Sequence, residues 1–132
     1  MILIDTHVLV WLDQDDPKLG TRCRRAIDQA LADDALVVSS ISFWEVAMLV
    51  AKQRLAMDIA LPDWRRDLIA GGIRESPIDG RIGLLAADLK LHRDPADRLI
   101  AATAAINEAT LATADQRLLT WRTNVERLDA SR

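Results

Sequence analysis

The chain has 132 residues, half of them apolar and 28% charged, with a formal net charge of −3. That profile fits one globular domain over residues 1–132 with a single sizeable core, and excludes a disordered segment. No window approaches the ~18 uninterrupted apolar residues of a membrane span, and Asp5 breaks the first apolar run with no basic leader before it, so the cytoplasm is the expected compartment.

Met1-Ile2-Leu3-Ile4 is an apolar, β-prone run that meets Asp5 and continues as an apolar stretch at helical spacing, Val8 to Leu12. It reads as a buried strand, a turn and a helix packed back on the sheet. Asp13 to Pro17 is a polar break, and Lys18 to about Ala32 reads as an amphipathic helix with Leu19, Cys23, Ile27 and Leu31 along one side. Cys23 is the only cysteine, which rules out an internal disulfide and a thiolate zinc cage; its neighbours Arg22, Arg24 and Arg25 could lower its pKa, but an inert helical thiol is the expectation.

Ala35 to Ser39 is a short buried strand, followed by a strongly apolar helix from Ser40 to about Lys52. A Pro62-led helix runs to the stop at Gly71-Gly72, and Ile73 to Ile78 holds a third strand. Gly80 to Leu91 is a helix closed by the turn His92-Arg93-Asp94-Pro95; Ala96 to about Asn107 is the next, with Leu99, Ile100, Thr103 and Ile106 in register. Thr110 to Thr113 is a fourth strand, and a helix over Gln116–Trp121 and an edge strand around Val125 follow. Such alternation predicts a parallel sheet with helices on both faces.

In a sheet of this kind, strand ends and helix N-termini collect at the carboxyl edge, where ligands bind. Asp5 and Asp115 end strands there, Glu45 is expected in the first turn of the helix after the second strand, and Asp97 in the first turn of the helix leading into the fourth. Each has a structural explanation: Ser42-x-x-Glu45 reads as a capping box, Asp94-Pro95-Ala96-Asp97 as a cap with a first-turn acid, and Asp115 as the cap of its own helix. Glu45 fits that explanation least well, since Ile41, Met48 and Leu49 share its side of the helix and an unsatisfied carboxylate there is costly. Four gathered carboxylates would repel one another. A hard dication removes that problem, and oxygen ligands with no clustered His favour Mg²⁺ or Mn²⁺, a setting suited to attack of water on a phosphodiester. His7 and His92 have no metal-type spacing and read as packing or capping residues. The net negative charge, one Phe and no Tyr leave phosphate contacts as the expected mode for any nucleic acid.

Ile4-Asp5-Thr6-His7-Val8-Leu9, Ser39-Ser40-Ile41-Ser42-Phe43-Trp44-Glu45, the stretch from His92 through Asp94-Pro95-Ala96-Asp97-Arg98 to Ala101, and Ala112-Thr113-Ala114-Asp115 together resemble the PIN domain, and within it the VapC-type toxins. The resemblance runs in order to about Leu119. It implies an α/β/α sandwich with a central parallel sheet of four to five strands, and a Mg²⁺- or Mn²⁺-dependent endoribonuclease, often dimeric, that is held inactive by a VapB-type antitoxin. Asp5, Glu45, Asp97 and Asp115 match the family's acidic quartet, which holds metal and positions or deprotonates the attacking water, with Thr113 in support. Arg93 and Arg98 are candidates for RNA phosphate contacts, Asp94 for a cap, and Trp11, Trp44, Trp64 and Trp121 for core or a partner surface. Two other readings are a catalytically silent PIN-like interaction domain and a receiver-like phosphoacceptor domain. The receiver lacks support because Asp5 has no acidic neighbour and no Lys follows Lys90.

Overall fold

A computed structural model describes all of residues 1–132. Five strands, β1 (Ile2–Ile4), β2 (Leu36–Ser39), β3 (Arg74–Ser76), β4 (Thr110–Thr113) and β5 (Arg127–Asp129), form one sheet in the order β3-β2-β1-β4-β5. Every pairing is parallel. The expected sandwich is present with the upper of the two strand numbers allowed for it. A receiver domain has the order 2-1-3-4-5, so this sheet rules that alternative out.

The helices are α1 (Thr6–Asp13), α2 (Thr21–Ala32), α3 (Ser40–Ala51), α4 (Leu61–Ala70), α5 (Gly80–Asp88), α6 (Pro95–Ile106) and α7 (Gln116–Leu119). Successive strand residues point to opposite faces, and the core splits accordingly. Ile4, Val38 and Ala112 join Val8, Leu9, Cys23, Ile27, Val46 and Trp64 on one face. Leu3, Val37 and Leu111 join Ile100, Ala101, Leu118 and Trp121 on the other. Both faces of the central strands are buried, which is why they read as unbroken apolar runs. Helix α5 packs outside α6 through Ile82, Ala86 and Ala102.

Several boundaries moved for local reasons. Helix α2 starts at Thr21 rather than Lys18, because Gly20 is extended and lies against the backbone of Arg132, where a side chain would not fit. Its buried side ends with Ala30, and Leu31 is on the surface. Helix α5 stops at Asp88, short of the expected Leu91, with Leu89 already extended. Helix α7 ends at Leu119, where the Thr120 hydroxyl donates to the Gln116 carbonyl, so Trp121 packs into the core from a loop. The edge strand is Arg127–Asp129 instead of lying around Val125, whose N–H is taken by the Thr123 hydroxyl.

Strand order reverses between β1 and β4, with β2 and β3 on one side and β5 on the other. Asp5 and Asp115 follow these two adjacent strands, whose register pairs Ile4 with Ala112. The switch point of the sheet therefore has an acid on each side. No helix is long and apolar enough to cross a membrane.

Candidate active site

A cleft of about 290 Å³ opens at this point, lined by Asp5, Glu45, Asp97 and Asp115 together with Thr6, His7 and Arg54. Four chain segments supply these acids, and each is held by a different local device.

Asp5 is only 3% exposed. It caps α1, its Oδ1 accepting from the Thr6 N–H at 2.8 Å, while Oδ2 accepts from the Thr113 hydroxyl at 2.7 Å. Thr113 is fully buried and its oxygen also accepts the Asp115 N–H at 3.1 Å, so one hydroxyl fixes two acids on neighbouring strands. The Ala114 N–H donates to His7 Nε2 at 2.9 Å, which leaves the His7 proton on Nδ1, 3.6 Å from Asp5 Oδ2. His7 also meets Trp11 edge-on, with ring centroids 5.0 Å apart.

Glu45 departs from the expected capping box. It is the sixth residue of α3, in its second turn, and Ser39 caps the helix. Ser42 and Glu45 instead converge on Thr6: the Thr6 hydroxyl lies 2.8 Å from Ser42 Oγ and donates to Glu45 Oε1 at 2.5 Å. Thr6 so joins Asp5 to Glu45. Burial pushes the Glu45 carboxyl above its usual range; the Thr6 bond opposes this, and the charges of Asp5, Asp97 and Asp94 reinforce it.

Asp97 opens α6 as expected, with Asp94 as the cap, accepting from the Ala96 and Asp97 N–H groups at 3.0 and 3.4 Å. Asp97 Oδ2 faces His92 Nε2 at 2.6 Å and Arg117 Nη2 at 3.5 Å. Burial raises its pKa, partly offset by the His92 bond and increased by Asp5, Asp94 and Asp115. Asp115 behaves oppositely. It caps α7 and is gripped by Arg117, which holds its pKa below the usual carboxylate range despite partial burial.

The donor set suits a cation. A nitrogen of His92 and carboxylate oxygens of Asp97 and Asp115 all lie within 4.8 Å of one another, and the Arg117 guanidinium already puts positive charge against both acids. His7 and His92, read from sequence as packing or capping residues, both face site carboxylates. Arg54, His7, His92, Arg117 and Thr6 carried no spacing signal for this role, although Thr6, His7 and His92 are within the motif stretches.

Arg98 is not available to a phosphate. Its Nε donates to the Ala86 carbonyl, Nη1 to those of Leu91 and His92, and Nη2 to those of Ala87 and Leu89, at 2.7 to 3.2 Å. All five N–H donors of the guanidinium are used. This knot caps α5 and shapes the turn that carries His92, which also accounts for the early end of that helix. Arg93 is exposed. Of the tryptophans, Trp64 and Trp121 are core, Trp11 is half-buried and Trp44 is 56% exposed. Cys23 is fully buried; burial and Asp129 push its thiol up to about 11, against the pull of Arg24.

The chain matches the PIN domain over residues 2–120. It is 34% identical over 123 residues to Ribonuclease VapC22 of Mycobacterium tuberculosis, covering 92% of each chain. Its fold matches VapBC2 from Rickettsia felis bound to a DNA fragment from their promoter, with a TM-score of 0.72, 18% identity and 97% and 98% of the two chains covered. A toxin-antitoxin complex from Klebsiella pneumoniae matches with a TM-score of 0.62, 19% identity and 95% of each chain covered. The parallel sheet with its switch point at β1 and β4, the ordered acids and the sequence match agree: the chain belongs to the PIN-domain family and is a homologue of VapC ribonucleases.

Proposed function

We propose that this chain is a Mg²⁺- or Mn²⁺-dependent endoribonuclease, the toxin of a toxin–antitoxin pair, acting in the cytoplasm as a single-domain homodimer restrained by a VapB-type antitoxin. The observation that carries this reading is the convergence of Asp5, Glu45, Asp97 and Asp115 on one cleft. Identity to a VapC ribonuclease and likeness to solved toxin–antitoxin assemblies support the substrate class and the partner.

The four acids would hold the ion, with His92 beside them; hard oxygen donors in this number suit Mg²⁺ or Mn²⁺. When bound, such an ion lowers the pKa of a water and takes up charge on the phosphoryl oxygens. The chain's own residues do the remainder. Thr6 and Thr113 fix both oxygens of Asp5. Glu45 has Oε1 held by Thr6, and takes the proton of the attacking water at its other oxygen. Arg54 lines the cleft and Arg93 is exposed, so either can receive an RNA phosphate, which positions the strand without reading its sequence.

The test is cleavage of total RNA by the purified chain, freed of any partner, with Mg²⁺, Mn²⁺ or excess chelator. Cleavage is expected only with metal, and undiminished cleavage in chelator would refute the reading. Mapping of the cut ends identifies the RNA target, and silencing by the product of an adjacent small gene identifies the antitoxin.

A further inference from the structure

Arg117 touches the acids of the cleft yet has no part in the cleavage chemistry set out above. Its Nε reaches Asp115 Oδ1 at 3.2 Å and its Nη2 reaches Asp115 Oδ2 at 2.9 Å; the same Nη2 lies 3.5 Å from Asp97 Oδ2. One guanidinium thereby spans carboxylates from two separate segments. These two acids, with His92, are also the group whose ligand atoms come within 4.8 Å of one another. The Arg117 side chain is 59% exposed, so packing does not lock it in place. Arg98, whose donors all end on carbonyls, has no such freedom.

We propose that Arg117 is a built-in counter-cation that competes with the dication for the Asp97–Asp115 pair, and must swing outward for the ion to bind. The inference rests on the metal-dependent reading. Two facing carboxylates repel and need positive charge between them. A guanidinium gripping one of them in two-pronged fashion supplies it with good geometry. A dication at the same oxygens supplies more charge and would repel the guanidinium, so the two exclude each other. Arg117 then sets the metal concentration at which the cleft fills, and keeps the fold from being loosened by its own acids below that concentration.

Titrating the full chain with Mn²⁺, with the free ion followed by electron paramagnetic resonance, tests this without reference to cleavage. Arg117→Gln should lower the Mn²⁺ dissociation constant about fivefold, in keeping with the modest strength of an exposed ion pair. Arg117→Lys, which keeps the charge but loses the two-pronged grip, should fall between. The rise in melting temperature on adding Mn²⁺ should also be larger in Arg117→Gln than in the parent chain. Equal dissociation constants in parent and variant would overturn the inference and leave the metal reading standing. Equal losses of melting temperature with and without Mn²⁺ would do the same, by showing that Arg117 only supports α7. No Mn²⁺ binding by either chain would overturn both.

Discussion

The acid cleft and the α5–α6 connection both concentrate charged or polar groups against the body of α6, and they resolve them in opposite ways. At the connection, a single cation meets five carbonyls and no donor is left over. In the cleft, four acids share two hydroxyls, two imidazoles and one exposed guanidinium, and Glu45 and Asp97 are left with raised pKa values. The complete network holds the fold. The incomplete one leaves the chain able to take up a cation, at a cost in stability.

The sharpest way to break that contrast is Asp97→Asn. Cleavage should fall by at least about 100-fold, a loss larger than those typical of residues behind a metal ligand. Folding should survive, because the amide can still bond His92 and one of the repelling charges is gone. In chelator its melting temperature should equal or exceed that of the parent chain; a marked fall would show that Asp97 is a structural acid.

Arg98→Ala should do the reverse. Stranding the carbonyls of Ala86, Ala87, Leu89, Leu91 and His92 should cost about 3 kcal/mol, read as a lower urea midpoint, with any loss of cleavage tracking the displaced His92 turn. A stable variant with weakened RNA binding would restore Arg98 as a phosphate contact.

The pH dependence of stability arises within the cleft, where the acids differ in sign. Glu45 and Asp97 hold protons more tightly folded than unfolded, so the stability they confer is present below their ordinary values of 4.5 and 3.8 and is lost as pH rises through the folded values. Asp115 has the opposite sign: its stabilisation is present above 3.8 and is lost as pH falls through its lowered folded value. Melting curves in chelator from pH 4 to 7 should therefore show a loss of stability on the alkaline side that is smaller in Asp97→Asn and is reversed by Mn²⁺.

The smallest effect is expected at Asp94, one turn from Asp97 and close to it in charge but not in role. Asp94→Ala removes the single oxygen, Oδ1, that accepts two N–H groups at the start of α6, and should cost about 1 kcal/mol, with cleavage largely retained. A collapse of cleavage with unchanged melting would move Asp94 from cap to catalytic group.

Much of the architecture was legible because it follows from short-range patterns. Buried runs such as Leu36–Ser39, the Pro62 start of α4 and the Asp94 cap are written in period, in φ preference and in side-chain competition for N–H groups, all of which act over a few residues. The meeting of Asp5 with Asp115 also followed, since parallel crossovers leave little choice about which edge each strand ends on. Glu45 is a carboxylate on an apolar helix face, which calls for a polar partner, but no capping box with Ser42 forms: both turn to Thr6, 36 and 39 residues away.

The layers, the order of elements and the acids at one edge of the sheet follow from the order of residues alone, because hydrophobic period and chain handedness constrain those directly. Which polar partner each charge takes depends on how the folded chain packs: Arg98 is turned inward to carbonyls, Arg117 is laid across Asp97 and Asp115, and His92 is set against Asp97. A long side chain such as arginine reaches many acceptors from one backbone position, and which it finds depends on the path of loops and on what else is left unsatisfied nearby. Neither is encoded in spacing along the chain.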